Sequence, residues 1–456
     1  MKLRGGFDSR PLGVSTLVVG VAVREMSRPK ALIVAYYYPP ISNIGARRLE
    51  KFVKYLPTFG FDPIVLAMGH AQRTDDAAGV FRSIDPLLYY RPYRERVLGS
   101  GQHYVAIGEA AGLKSRVARF VARDLMIPDP QIGWLVPAVR RAARIIEQQR
   151  VDLVFTSSPP VTAHLVGRMI KKRYAVPWVA DFRDGWTFDP HPPRPPNAWL
   201  RKAIDARLER RVVEECDAVV CATRRFTEDF KSRFGKAPGR IVTIMNGYDD
   251  DDYKHIESVE PDPGVFLIVH TGGFASSKST RTPYHFLRAL RRFLTQLDAE
   301  RRKGVRVVFA GRLTESETAM VTTENLAGVV SCPGNLAYHQ ALELQLKASV
   351  LLLVTTPDET SEATGKLFEY LRARRPILAL ADSNVAAEII LDLNAGICVR
   401  PTDVDRICDA LTKLFGAHES GTLRNETPHS SLIAYSRQAA CDLLQSTFRN
   451  VLTDGT

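Results

Sequence analysis

The chain alternates short apolar runs with amphipathic segments, and it does so twice. The first series opens with ALIVAYY at 31–37, continues with apolar residues at helical spacing, and reaches a second strand-like run, PIVLA, at 63–67. The pattern starts again after ESVEPDPG at 257–264, a polar linker rich in Pro and Gly. Such alternation predicts parallel sheets covered by helices. The sequence therefore predicts an α/β fold of two doubly wound domains that face a cleft.

This linker and the last amphipathic segment define the expected domains. An N-terminal Rossmann-like domain covers 29–256 plus 430–456, because the segment at 432–452 reads as a final helix with one apolar side. A C-terminal Rossmann-like domain covers 265–429.

The first 28 residues are expected to be a tail or a misassigned start. Met26 opens MSRPKALIVAYYYPP, a natural beginning just before a strand. The apolar run LGVSTLVVGVAV before it is too short to span a bilayer, which leaves a membrane-surface anchor as the alternative.

The net charge of +12 favours anionic partners. No nucleic-acid motif is present in the sequence, so phosphorylated metabolites or an acidic membrane surface are expected instead. One basic amphipathic helix is predicted at 113–125, LKSRVARFVARDL, which either packs on its own domain or contacts an anionic membrane. The six cysteines form no C-x-x-C pair and indicate reduced thiols in a cytoplasmic protein.

The loop HTGGFASSKSTRTPY at 270–284 resembles a phosphate-binding P-loop without matching it. The helix after it is predicted to start several residues beyond the Lys-Ser pair, which argues against a P-loop. Gly272 and Gly273 would let the backbone approach a ligand closely, and Lys278 and Arg281 precede a helix N-terminus. This combination suits a diphosphate, and a solvated loop with incidental basic residues is the alternative.

A second segment, SEATGKLFEYLRARRPILAL at 361–380, places Lys366 and Glu369 near the start of an amphipathic helix. Taken alone, such a glutamate is as often a partnered structural carboxylate as a functional one.

In this order and spacing, these segments resemble the GT-B-fold retaining glycosyltransferases of glycosyltransferase family 4. The resemblance runs from about residue 29 to the C-terminus. It rests on six segments: YYYPPISNIG, TSSPP, VADFRDGW, MNGYDDDDY, TGG with the arginine that follows it, and GKLFEYLRARRPIL. The resemblance implies that the C-terminal domain binds a sugar nucleotide, that the N-terminal domain takes the acceptor, and that the last helix crosses back to the first domain.

In the C-terminal domain, the resemblance implies that Glu369 binds the ribose hydroxyls, as the second glutamate of the family's Glu-x7-Glu motif. Lys278 and Arg281 match its basic positions at the diphosphate, and Lys366 joins them. Two departures are visible. Gly273 stands where many members have arginine, and Ser361 stands at the first motif glutamate, with Glu362 adjacent.

In the N-terminal domain, Gly45 would let the backbone approach the diphosphate from the other side. Asp181, Arg183 and Asp184 lie in VADFRDGW, at a strand end where many members have His-Asp, and are expected to orient an acceptor hydroxyl. A salt-bridged turn around Arg183 is the alternative. The four aspartates at 249–252 are interpreted as a solvated turn rather than a metal site.

The sequence thus predicts a cytoplasmic, metal-independent hexosyltransferase, peripheral on the inner face of the plasma membrane. Its donor is a nucleoside-diphosphate sugar, no cofactor is needed, and its acceptor is a glycan or lipid-linked glycan of a bacterial surface polysaccharide. A non-catalytic GT-B protein that binds sugar nucleotides and a GT-B nucleotide-sugar epimerase are the alternatives.

Overall fold

A computed structural model of the chain describes residues 28–40, 44–69, 75–76, 79–89, 126–188, 199–235, 240–257, 259–275, 281–356 and 359–454. Nearly all of the predicted N-terminal tail, the predicted basic helix at 113–125, and Lys278 lie outside these residues. Among the residues described, no helix is both long enough and apolar enough to cross a membrane.

The first sheet is built from eight strands of the described chain, in the order β3-β4-β2-β1-β5-β6-β7-β8. The strands are β1 (Lys30–Ala35), β2 (Asp62–Met68), β3 (Asp75–Asp76), β4 (Val80–Ser83), β5 (Leu153–Ser158), β6 (Trp178–Phe182), β7 (Ala218–Cys221) and β8 (Arg240–Thr243). Its helices are α1 (Ile44–Tyr55), α2 (Leu135–Gln149), α3 (Thr162–Tyr174), α4 (Trp199–Glu215) and α5 (Arg224–Phe234). All strand pairs are parallel except that of β3 with β4 at the edge.

The second sheet is wholly parallel and has six strands within the described residues, in the order β11-β10-β9-β12-β13-β14. The strands are β9 (Phe266–Thr271), β10 (Val305–Ala310), β11 (Val330–Ser331), β12 (Val350–Val354), β13 (Ile377–Leu380) and β14 (Gly396–Val399). The helices that follow β9 are α6 (Tyr284–Thr295), α7 (Ala299–Lys303), α8 (Glu315–Thr323), α9 (Tyr338–Lys347), α10 (Gly365–Ala373), α11 (Val385–Asp392), α12 (Val404–Glu419), α13 (His429–Leu432) and α14 (Arg437–Asp454). The predicted doubly wound α/β architecture is confirmed.

Several central strands are buried along nearly their whole length because helices cover both faces of each sheet. β12, VLLLV, is buried at every position, and β1 is buried at all but its first residue. Such continuous apolar runs are typical of parallel sheets, whereas a sheet with one wet face would alternate.

The last helix returns to the first sheet. The predicted single helix at 432–452 is instead a short turn, α13, followed by α14. Phe448 of α14 is fully buried, and its ring centroid lies 5.5 Å from those of both Phe61 and Phe155 of the first domain.

Each sheet changes winding direction at one point. In the first sheet, β1 lies between β2 on one side and β5 on the other. In the second sheet, β9 lies in the same way between β10 and β12. Ligands of doubly wound proteins bind in the crevice at the carboxyl ends of such strands. The residues after β1, β5, β9 and β12 are therefore the place to look for a site.

The packing of α14 predicts a stability effect. Replacing Phe448 with Ala removes a buried ring from the aromatic cluster and should lower the free energy of unfolding by about 3 kcal/mol. Leu443→Ala, at a position of the same helix that is 52% exposed, is the matched control and should change it by less than about 0.5 kcal/mol. Chemical denaturation would measure both, and equal effects would contradict the placement of α14.

Candidate active site

The glycine loop after β9 is built for close backbone approach. Gly272 has a φ of +87°, in the left-handed region that favours glycine. A Cβ at Gly311, in the turn after β10, would lie only 2.4 Å from the Gly272 carbonyl carbon. On its other side, a Cβ on Gly272 would lie 3.2 Å from the Nζ of Lys366. The loop and the start of α10 therefore meet at the carboxyl edge of the second sheet.

Lys366 is half-buried at this junction and its pKa is unusual. Its Nζ lies 3.2 Å from Nε2 of His270, whose Nδ1 lies 2.9 Å from the carbonyl of Leu352. A carbonyl only accepts, so Nδ1 carries the proton and Nε2 accepts from Lys366. Burial, reinforced by the nearby Arg281 guanidinium, lowers the pKa of Lys366 to about 7. A bound anion would supply the countercharge that this ammonium group needs.

Glu369 lies one helical turn after Lys366. Its Oε1 accepts from the Tyr338 hydroxyl at 3.1 Å and its Oε2 from Nε2 of Gln345 at 3.1 Å. The same Gln345 amide donates to Oγ1 of Thr271, at the end of β9, at 3.0 Å. Burial raises the pKa of the Glu369 carboxyl. The helix α10 thus presents a cation and a carboxylate side by side, next to the glycine loop.

Arg281 lies near Lys366 but is buried and ion-paired. Its side chain is 2% exposed and forms an ion pair with Glu362, whose other oxygen accepts from the Thr356 amide at 2.7 Å. This pair joins the start of α6 to the segment before α10. The structure therefore gives Arg281 a buried carboxylate partner rather than an open place at the loop, and Lys366 is the described lysine that contacts Gly272.

In the first domain the structure brings Gly45 and Arg183 together. Arg183 donates to the carbonyls of Ser158 and Pro159 at 2.8 and 2.6 Å, which fixes its guanidinium over the start of α1. A Cβ on Gly45 would lie 1.3 Å from Nη1 of Arg183, so any larger residue there would displace the guanidinium. Both carbonyls belong to the segment that ends β5, so these bonds tie the turn after β6 to the turn after β5. Asp184 beside it is exposed.

Asp181 does not line the cleft, contrary to the sequence-based prediction. It is fully buried and accepts from Nη2 of Arg48 at 2.9 Å and from the Ser157 hydroxyl at 2.7 Å. Arg48 also donates to the carbonyls of Ile244 and Met245 at 2.8 and 3.0 Å. Asp181 thus neutralises a buried arginine beneath the loops, and a substrate hydroxyl has no access to it.

The aspartates at 249–252 do not form the simple solvated turn that the sequence predicts, because the first of them is buried. Asp249 is buried and accepts from Lys54 at 2.8 Å and from the Tyr55 hydroxyl at 2.6 Å, and Lys51 lies 2.7 Å away. Burial alone would raise the pKa of Asp249, but these bonds hold that pKa well below its usual range. The turn is an ion-paired anchor for α1. Across the described chain, no cluster of His, Cys, Asp and Glu has the geometry of a metal site.

Tyr338, which the sequence analysis did not single out, connects the two domains beside Glu369. The guanidinium carbon of Arg47, on α1, lies 3.4 Å from the centroid of the Tyr338 ring. The Tyr338 hydroxyl also lies 3.3 Å from Oδ2 of Asp252. Nothing in the sequence near Tyr338 marks this role, since its partners come from distant elements.

Comparisons with known proteins agree with this architecture. Residues 45–252 match the model of the family described as Glycosyltransferase Family 4. A comparison with curated proteins found no match.

Three solved structures of similar fold cover nearly the whole chain. Sucrose-phosphate synthase from Thermosynechococcus elongatus has a TM-score of 0.61 at 13% identity, over 94% of this chain and 100% of that one. A glycosyltransferase from Rickettsia africae has 0.58 at 16%, over 93% and 99%. A protein described as a UDP-N-acetylglucosamine 2-epimerase from Listeria monocytogenes has 0.54 at 11%, over 94% and 97%. The GT-B fold and the predicted resemblance to glycosyltransferase family 4 are confirmed.

The lowered pKa of Lys366 predicts how anion binding depends on pH. Below pH 7 the unliganded Lys366 is already charged, and above it binding must take up a proton, because the anion raises the lysine pKa again. The affinity for pyrophosphate should therefore fall as pH rises above 7, by up to about tenfold per unit. Calorimetry from pH 6 to 9 would measure it. The Lys366→Met variant is the control, because the pH dependence of its affinity reflects only the titration of pyrophosphate itself. If the parent showed the same dependence as this variant, the assignment of the effect to Lys366 would be contradicted.

Proposed function

We propose that this GT-B protein, which matches Glycosyltransferase Family 4 over residues 45–252, is a retaining hexosyltransferase that uses a nucleoside-diphosphate sugar. The observation that carries the proposal is the pair of Lys366 and Glu369 on one turn of α10. Lys366 faces Gly272, and Glu369 is linked through Gln345 to Thr271, at the carboxyl edge of the second sheet. The proposed product is a glycan or lipid-linked glycan of a bacterial surface or exported polysaccharide.

The spacing of this pair suits the two ends of a nucleoside diphosphate. Lys366 and the N-terminus of α10 offer positive charge where phosphates would lie against the glycine loop. Glu369 offers two carboxylate oxygens, which can accept from two vicinal ribose hydroxyls at once. Lys278 lies in the same loop and belongs to the proposed diphosphate site, outside the described residues. Arg281 supports the loop through its ion pair with Glu362.

The proposed reaction breaks the bond between the anomeric carbon and the diphosphate through an oxocarbenium-like state. Negative charge grows on the leaving diphosphate, and Lys366 stabilises it in a partly water-excluded site. Arg183, fixed beside Gly45, adds a cation from the opposite domain. The leaving phosphate takes the proton of the acceptor hydroxyl, which keeps the configuration without a covalent nucleophile. Cations of the protein neutralise the diphosphate, so the proposed reaction needs no metal.

The acceptor side is proposed to lie in the first domain. Asp184 is exposed beside Arg183 at the end of β6, where an acceptor hydroxyl could be oriented, whereas Asp181 is engaged by Arg48. The net charge of +12 supports a cytoplasmic protein that meets an anionic lipid surface, where a lipid-linked acceptor would be found.

Incubation with a donor alone separates the proposed activity from its rivals. A thermal-shift screen with UDP-, GDP-, ADP- and dTDP-sugars would first select the donor. A transferase should then slowly release the nucleoside diphosphate by hydrolysis. Conversion to an epimeric sugar nucleotide would indicate an epimerase instead, and an unchanged donor with and without a glycan acceptor would indicate a non-catalytic binding protein.

Glu369→Gln tests the donor site directly. The amide keeps the shape of the side chain but loses the charge, so donor binding should weaken by about 1.5–3 kcal/mol, the contribution of hydrogen bonds to a charged group. Titration calorimetry with the selected donor would measure it. Glu343→Gln, at a more exposed position of α9 whose carboxylate pairs with Lys347, is the matched control and should bind like the parent. Unchanged affinity in Glu369→Gln would overturn the donor site.

A further inference from the structure

Both oxygens of Glu369 are engaged by side chains of the protein itself. Gln345 and Tyr338 donate one hydrogen bond each, both at 3.1 Å. The Tyr338 hydroxyl is the same kind of donor as a ribose hydroxyl, and it takes an acceptor site on one of the two oxygens that a bidentate ribose contact would use.

The two donors are held very differently. Gln345 is fully buried, and its amide is also tied to Thr271 at the end of β9. Tyr338 is half-buried at the first position of α9, with its ring under the guanidinium of Arg47 and its hydroxyl near Asp252. Rotation of one side chain would withdraw Tyr338 from Glu369, whereas withdrawing Gln345 would disturb the sheet edge.

Apart from its bond to Glu369, Tyr338 makes two contacts with the first domain. Arg47 belongs to α1 of the first domain, and Asp252 belongs to the anchor that Lys51 and Lys54 pair with. Burial, together with the negative charge of Glu369, raises the pKa of the Tyr338 phenol, so the hydroxyl remains a donor throughout the physiological range.

We propose that the Tyr338 hydroxyl stands in for a ribose hydroxyl on Glu369 and is displaced when a nucleotide binds, which also releases the Tyr338 ring from Arg47. Tyr338 is thus a positioning residue: it keeps the carboxylate satisfied in the unliganded protein and couples occupancy of the ribose site to α1 of the opposite domain. This inference rests on the proposed function, because it assumes that Glu369 receives a ribose.

Tyr338→Phe tests the competition while keeping the ring and its stack on Arg47. The variant has no hydroxyl to displace, so nucleoside diphosphates (UDP, GDP and ADP as probes) should bind about tenfold more tightly than to the parent. Pyrophosphate, which has no ribose, should bind both proteins equally. The control is Tyr253→Phe, since the Tyr253 hydroxyl lies 3.3 Å from the backbone carbonyl of Glu369 and not from its carboxylate.

Arg47→Ala extends the test to the coupling. Without the stack, Tyr338 should leave Glu369 more easily, and nucleoside diphosphates should bind more tightly by a smaller factor, about threefold. A structural defect would instead weaken every ligand, pyrophosphate included.

Calorimetric outcomes separate this inference from the proposed function. Tighter nucleotide binding by Tyr338→Phe with unchanged pyrophosphate binding supports it. Equal nucleotide affinities of parent and variant overturn it and leave the proposed function standing, and weaker binding by the variant makes Tyr338 a ligand contact instead. If no probe binds parent or variant, the proposed function fails and the inference fails with it.

Discussion

A single buried ion pair, Arg48 with Asp181, holds the cleft side of the first domain together. Arg48 leaves α1, meets the carboxylate at the end of β6, and donates to the carbonyls of Ile244 and Met245 that follow β8. Removing either partner of such a pair leaves an unpaired buried charge and typically costs about 3–5 kcal/mol. The pair therefore fixes α1 against β6, the strand that precedes Arg183, and against the segment that leads to the second domain.

Because α1 is fixed, the positions of the residues next to Arg48 on this helix are fixed as well. Gly45, three positions earlier, lies under Arg183, whose guanidinium fills the space that a side chain would take. Arg47, directly before Arg48, points to the other domain, where its guanidinium stacks on the ring of Tyr338. One turn of helix thus borders the proposed diphosphate site on one side and contacts the proposed ribose site through Tyr338 on the other. The first domain is thus connected to Glu369 through Arg47 and Tyr338.

What the sequence revealed was mostly local, and what it missed was mostly between elements. Strand and helix alternation predicts both sheets, because apolar runs and helical spacing are properties of neighbouring residues. It also placed Lys366 and Glu369 on one helix. Asp181 pairs with Arg48, 133 positions away, and Arg281 pairs with Glu362, 81 positions away. No local sequence pattern predicts pairs that are so far apart in the chain.

The aspartate run shows the same limit. Turn chemistry favours a solvated loop at 249–252, yet lysines of α1 turn it into an ion-paired anchor. A tertiary contact overrides the local preference there. The structure also adds His270, Gln345 and Tyr338 to the site, all of which act through contacts with residues of other elements.

The central claim is that the Glu369 carboxylate receives the ribose of a nucleotide, and a double-mutant cycle on that contact tests it most directly. The affinities of a nucleoside diphosphate and its 2′-deoxy counterpart would be measured by calorimetry for the parent and for Glu369→Gln. The account predicts that the parent loses about 1.5–3 kcal/mol with the deoxy ligand, because a hydrogen bond to a charged group is missing, and that this loss largely disappears in the variant. An equal loss in both proteins would mean that the ribose lies elsewhere.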